Sequence, residues 1–142
     1  MQFRKFGNKY FLRIDRGEEI IATLKKFCER EKITLAEVKA LGAIDDFNVG
    51  LFDVDEKKYH TNHFKFPAEI VSLWGTVTTK NGDFYAHIHL SAGDEKGQVF
   101  GGHLNSAVVS ATCEMVIDNV PDGAIERKFS EEVGLNLFEF IN

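Results

Sequence analysis

Apolar and polar residues alternate along much of this chain, and a period of two predicts β-strands. The alternation is strictest over residues 84–91, which read FYAHIHLS. The two faces of that strand would differ in chemistry: Phe84, Ala86, Ile88 and Leu90 on one, and Tyr85, His87, His89 and Ser91 on the other. One face is therefore suited to a core and the other presents two histidines together.

A second strand is predicted directly after this one. Residues 93–97, GDEKG, are polar and bounded by glycines, which is typical of a loop. Residues 98–104 then return as a strand, so the segment predicts a β-hairpin. With the loop centred in that run, His103 would lie roughly opposite Ile88 and His89.

The remaining pattern predicts a sheet with one main helix. Apolar residues at helical spacing predict an amphipathic helix over residues 18–31, and Glu18 and Glu19 suit the positive N-terminal end of a helix. The predicted strands cover residues 9–15, 46–53, 69–79, 107–118 and 125–129. Asn81-Gly82 is a strong tight-turn signal between the third of these and the histidine hairpin.

One segment allows two interpretations. Thr34-Leu35-Ala36-Glu37 has the form of a capping box, which would begin a short helix. A strand from Val38 to Ala43 competes with it, and these residues alone do not separate the two.

Together, these elements predict an α+β fold. We expect a single domain over residues 1–142, with a mostly antiparallel sheet, one main helix at about residues 18–31 and short helical pieces. A chain of 142 residues with 44% hydrophobic residues can form one compact core. The apolar tail at residues 135–140 should pack on the body or on a neighbouring subunit.

The hairpin would bring His87, His89 and His103 together as a three-nitrogen metal site. Adjacent strands lie about 4.8 Å apart and alternate residues about 6.5 Å apart, gaps that imidazoles span around one ion with bonds of about 2.0 Å. Zinc is the leading metal, and nickel, copper and iron also accept nitrogen ligands. From spacing alone, solvated imidazoles explain the pattern equally well. We expect His60 and His63 to face solvent.

Two further features near the hairpin bear on the site. Gly101 and Gly102 precede His103 and lack a Cβ, which lets a ligand or another backbone approach closely. Glu114 is the nearest acidic residue in sequence to His103 on a well-formed strand. It could orient a ligand histidine, although a solvated carboxylate is the simpler role.

These residues resemble the PPC domain, named for plants and prokaryotes. The run GQVFGGHL at residues 97–104, preceded by HIHLS at residues 87–91, looks like its signature. Further similar segments are YFLRI at 10–14, ALGAI at 40–44, AEIVSLWG at 68–75 and VGLN at 133–136. The three histidines match the stand-alone prokaryotic members, whose relatives in plant AT-hook proteins have lost them.

This resemblance favours the metal interpretation and implies a homotrimer. In a trimer, the pair Gly101-Gly102 could let a neighbouring subunit approach the hairpin, which would place each site near a subunit boundary. The glycines could also serve a β-bulge, or clear space for a small ligand within one chain.

Charge and composition narrow the partners. The net charge of −5 repels a phosphate backbone, and the chain has no basic run or AT-hook, so direct DNA binding by this domain alone is disfavoured. Cys28 and Cys113 lie within apolar patterns and are expected to be reduced core residues. The sequence shows no signal peptide and no apolar run that would span a membrane, which favours a cytoplasmic location.

Three classes of function therefore compete. The first is a metal-binding protein, with a small-molecule ligand at the metal. The second is an enzyme that uses an open coordination position, which can lower the pKa of a bound water or polarise a carbonyl group. The third is a DNA-associated protein, since the family is often labelled so through its plant members.

Overall fold

The computed structural model describes residues 1–140, which form one helix and nine strands. In chain order these are β1 (Gln2–Phe6), β2 (Lys9–Asp15), α1 (Ile20–Glu31), β3 (Ala36–Asp53), β4 (Lys58–Phe64), β5 (Ala68–Lys80), β6 (Asp83–Gly93), β7 (Val99–Asn119), β8 (Glu126–Ser130) and β9 (Leu135–Glu139).

All nine strands belong to one sheet. β3 pairs with β5, β5 with β6, β6 with the start of β7, and β7 with β3, so these four pairings return to their starting strand. The pairing of β5 with β8, at Thr79 and Glu126, is parallel, and the other pairings in the described residues are antiparallel. A mostly antiparallel sheet with one helix is consistent with the predicted α+β class.

The helix α1 begins where the acidic residues predicted. Glu19 is its N-cap, and its carboxylate accepts hydrogen bonds from the backbone N–H groups of Ile21 and Ala22, at 3.0 and 2.6 Å. The same carboxylate accepts the Ala107 N–H of β7 at 2.9 Å, which ties the start of the helix to the sheet. The predicted helix is confirmed, and it begins at Ile20 rather than at residue 18.

The short helix at Thr34 and the other short helical pieces do not form within residues 1–140. Instead β3 runs unbroken from Ala36 to Asp53, through both the segment in doubt and the strand predicted at residues 46–53. Thr34 caps no helix, since a strand follows it, and its hydroxyl donates to the Gly123 carbonyl at 2.8 Å. Pairing with β5 on one side and β7 on the other outweighs the local capping signal.

The core lies between α1 and the sheet. The helix buries Ile20, Leu24, Phe27 and Cys28, and these side chains pack against one face of the central strands. Cys28 and Cys113 are both free and buried, as predicted, and burial raises the pKa of each thiol to about 12. The fraction of reactive thiolate is therefore very low at neutral pH.

The turns and the tail follow the prediction closely. Asn81 and Gly82 both have positive φ angles, 54° and 81°, as a tight hairpin turn requires. The apolar tail forms β9, which pairs with β8 and so packs on the body of the same chain. In the part of the chain that the structure describes, no helix is long and apolar enough to cross a membrane.

Candidate metal centre

Two strand pairings place the three histidines on one face of the sheet. His89 of β6 pairs directly with His103 of β7, so the predicted register is confirmed. His87 lies two residues before His89 and points to the same face. On the other side of β6, these two residues pair with Thr76 and Trp74 of β5. The cluster therefore depends on backbone pairing between three strands.

The imidazole rings are close enough to share one ion. Their ring centroids lie 5.2 Å apart for His87 and His89, 5.3 Å for His87 and His103, and 5.8 Å for His89 and His103. One nitrogen from each ring lies within 4.8 Å of the other two. Nitrogens bound to one zinc ion lie about 3–4 Å apart, since each bond is about 2.0–2.1 Å long. Small ring rotations would therefore complete the site.

The surroundings of His87 and His103 favour the neutral imidazole, which is the form that binds metals. Burial lowers the pKa of His87, and the nearby charges of His103, Arg127 and His89 lower it further. Burial also lowers the pKa of His103, with a further contribution from His89. Three imidazole nitrogens on one side of a pocket fit a borderline transition metal such as zinc.

The histidines form the floor of a pocket of about 640 Å³. One wall is the β8–β9 hairpin, and the other wall comes from β3 and β4. Most of the lining is apolar or aromatic: Leu51, Phe52, Tyr59, Tyr85, Leu135, Leu137 and Phe138. Its polar side chains besides the histidines are Asn62, Asn136 and Arg127. Among these described residues there is no carboxylate.

Arg127 of β8 is the charged residue in this lining. Its Nε donates to the Thr78 hydroxyl at 2.8 Å, and its Nη1 donates to the Asn136 carbonyl at 3.0 Å. The guanidinium carbon lies 4.6 Å from the ring centre of Tyr85 and 4.5 Å from that of Phe138. The residue is thus held between two aromatic rings at the edge of the histidine cluster.

Tyr59 of β4 packs beside the third histidine. Its ring lies perpendicular to that of His103, with 6.3 Å between the ring centres, and its hydroxyl hydrogen-bonds to the Asn105 side chain at 3.0 Å. Tyr59 can occupy this position because residue 50 is glycine. A Cβ on Gly50 would lie 2.3 Å from the Tyr59 hydroxyl oxygen. Tyr59 therefore limits the rotation of the His103 ring.

The other two histidines lie apart from this cluster. His63 is exposed, and its Nε2 lies 2.8 Å from Asp46 Oδ1, a contact that holds the pKa of Asp46 below its usual range. His60 is also exposed, as predicted, and lies near Asp53 and Glu56. Asp53 Oδ1 accepts two backbone N–H groups of its own turn, so its position is explained by that turn.

Glu114 is too distant to orient His103. The two residues are separated by about 35 Å of strand at roughly 3.3 Å per residue. Glu114 pairs with Arg13 of β2 and with Leu41 of β3 and is exposed. Glu114 is therefore a solvated carboxylate, which is the simpler of the two roles considered above.

The glycine pair serves close packing within the chain. A Cβ on Gly101 would lie 2.4 Å from the Leu90 carbonyl oxygen of β6, and one on Gly102 would lie 2.6 Å from the Gly50 carbonyl oxygen of β3. Both contacts are with backbone atoms, which cannot move away cheaply. The glycines are therefore needed for the crossing of β7 with β3 and β6, whether or not another subunit approaches.

The sequence did not predict the wall of the pocket that the β8–β9 hairpin forms. Tyr85 was placed on the histidine face by alternation, but Arg127, Asn136 and Phe138 had no signal of their own. They come from the last hairpin, and only its position in the fold brings them to the histidines.

Fold and histidine cluster together define an α+β protein with a candidate metal centre. The chain belongs to the Plants and Prokaryotes Conserved (PCC) domain family, whose profile matches residues 1–121. This is the family, called PPC above, that the sequence motifs resemble. The sequence has no significant match among curated proteins.

Solved structures share the whole fold. A metal-containing protein from Archaeoglobus fulgidus is 34% identical, with 99% of each chain covered and a TM-score of 0.89. A plant- and prokaryote-conserved protein from Pyrococcus horikoshii is also 34% identical, with 99% of this chain and 96% of that chain covered and a TM-score of 0.87. A candidate DNA-binding protein from Bacteroides thetaiotaomicron is 29% identical, with coverage of 98% and 96% and a TM-score of 0.94.

Replacing Gly102 with alanine should lower the free energy of unfolding by about 1–3 kcal/mol, because the new Cβ would overlap the Gly50 carbonyl. Denaturant titration measures this. Gly93→Ala in the same hairpin is the matched control, since its Cβ would meet only a methyl of Val71 at 3.3 Å. Equal losses in the two variants would contradict the assignment.

Proposed function

We propose that this chain binds one divalent transition-metal ion, zinc first, through His87, His89 and His103. The observation that carries the proposal is the convergence of three imidazoles, one nitrogen of each within 4.8 Å of the others. The lowered pKa values of His87 and His103 add support, since metals bind the neutral ring. The metal content of the Archaeoglobus relative is a further reason to expect an ion here.

The role that this site supports best is metal-dependent binding of a small molecule in the pocket. A bound ion would keep a coordination position facing the cavity, where it could polarise a carbonyl or phosphoryl group. The chain's own residues then decide what enters: aromatic and apolar walls hold a ligand and limit water, and Tyr59 orients His103. Within one chain, an enzymatic role would have to use a base other than a carboxylate, because none lines the described pocket.

We also propose a homotrimer, as the family resemblance implies. One face of the sheet, opposite α1, presents apolar side chains to solvent in the single chain: Phe11, Leu41, Val71 and Trp74, with exposed fractions of 48% to 61%. This face reaches the metal centre, since Trp74 pairs with His89. Burial of such a surface between subunits would remove apolar area from water and would place each site near a boundary.

A DNA-associated role is supported by the family label and by the description of the Bacteroides relative. The net charge of −5 works against it, because a protein that binds the phosphate backbone gains affinity by replacing counterions with lysine and arginine. We therefore favour the small-molecule role.

The metal assignment predicts about one ion per chain in protein purified without chelator or affinity metal. His87→Ala, His89→Ala and His103→Ala should each lower occupancy sharply, since three ligands leave no redundancy. Elemental analysis measures this. His60→Ala and His63→Ala are the matched controls and should keep full occupancy; full occupancy in His103→Ala would reject the assignment.

The trimer predicts a mass in solution of about 48 kDa, three times the 16.1 kDa of one chain. Leu41→Asp should shift the mass toward a single chain, because it adds charge to the apolar face. Val54→Asp, at an exposed apolar residue in the β3–β4 turn, is the control and should leave the mass unchanged. Light scattering after size exclusion measures both, and a wild-type mass of one chain would refute the trimer.

The charge argument predicts weak binding of duplex DNA without sequence preference at physiological salt. A fluorescence titration with AT-rich and GC-rich duplexes measures this. Tight, AT-selective binding would overturn the preference for the small-molecule role.

A further inference from the structure

Arg127 is a buried cation without an acidic partner. Only 7% of the residue is exposed, and within residues 1–140 no carboxylate forms an ion pair with it. Buried charges in proteins are normally paired, because removal of a charge from water costs several kcal/mol. A guanidinium group has five N–H donors. Only two donate at 3.0 Å or less, and a third makes a 3.5 Å contact with Thr76.

The metal centre adds to this imbalance of charge. Three neutral imidazoles do not offset the two positive charges of a divalent ion, and Arg127 adds a third positive charge. No aspartate or glutamate lines the described pocket to oppose them. A loaded site would therefore hold three positive charges without a counter-charge from these residues, and an anion is the ligand that such a site attracts.

The walls specify the rest of the ligand. Leu51, Phe52, Leu135, Leu137 and Phe138 present apolar surface to a cavity of about 640 Å³, which is the size range of small-molecule sites. An inorganic anion would leave most of this surface in contact with water. A ligand with an anionic head and an apolar body would cover it.

We propose that the pocket binds a small organic anion, with a carboxylate or phosphate head between the metal ion and Arg127 and an apolar body against the β8–β9 hairpin. This rests on the proposed metal site and names the class of ligand that it takes. Carboxylate and phosphate share the chemistry in question, because the planar guanidinium fork binds either one through two parallel hydrogen bonds.

Arg127 also anchors the β8–β9 hairpin, through Thr78 and the Asn136 carbonyl, and the test has to separate the two roles. Thr79→Val removes a hydrogen bond from β5 to Glu126 of β8 and keeps the guanidinium with its own partners. Lys128→Gln removes a positive charge from the same hairpin, but outside the pocket, since Lys128 is 74% exposed and pairs with Glu139. Arg127→Lys keeps the charge without the fork.

The experiment is calorimetric titration of zinc-loaded protein with phenylacetate and phenyl phosphate, and with acetate and benzyl alcohol as partial analogues. At least one of the two aromatic anions should bind about tenfold more tightly than either analogue. Arg127→Gln should weaken that binding about tenfold or more, and Arg127→Lys by less. Lys128→Gln and Thr79→Val should bind as the wild type does, although Thr79→Val should melt at a lower temperature.

Zinc content, measured on every sample, separates this inference from the proposed function. A wild type that takes up neither zinc nor nickel, copper or iron refutes the metal site itself. Zinc-loaded wild type that binds neither aromatic anion overturns only the ligand proposal. Equal loss of binding in Thr79→Val and Arg127→Gln would assign the effect of Arg127 to holding the hairpin, and would also overturn the ligand proposal.

Discussion

The pairing of β6 with the first residues of β7 is the constraint on which the rest of the structure depends. It completes the series of pairings through β3, β5, β6 and β7, and it sets His89 opposite His103. A shift of one residue would turn one histidine to the other face and break the cluster, because side chains alternate along a strand. This series of pairings can return to its starting strand because Gly101 and Gly102 let the backbone of β7 approach those of β6 and β3 closely.

The features predicted correctly from the sequence are those decided by neighbouring residues. The histidine cluster lies within one hairpin, so alternation and a loop were enough to bring His103 to His89. Helix α1 was likewise visible from its apolar spacing and its acidic start. Thr34 failed as a helix signal because β5 and β7, which are distant in sequence, hold the segment after it as a strand.

Arg127 could not be predicted, for a related reason. Its contacts are with Thr78, Tyr85 and Asn136, on three different strands. No local pattern marks an arginine that will become buried, and its neighbours in sequence, Glu126 and Lys128, suggest an ordinary exposed strand. The distribution of charge is similarly hidden: the chain as a whole is acidic, whereas the described pocket contains a cation and no carboxylate.

The pocket is built from two parts of the chain that lie far apart in sequence. The histidines lie inside the segment that matches the family profile, residues 1–121, and the β8–β9 hairpin lies beyond it. Substitutions in the hairpin, residues 126–139, would therefore alter one wall of the pocket without removing any of the three histidines. For protein engineering the pocket is thus modular: the histidine cluster and the wall beside it can be varied independently.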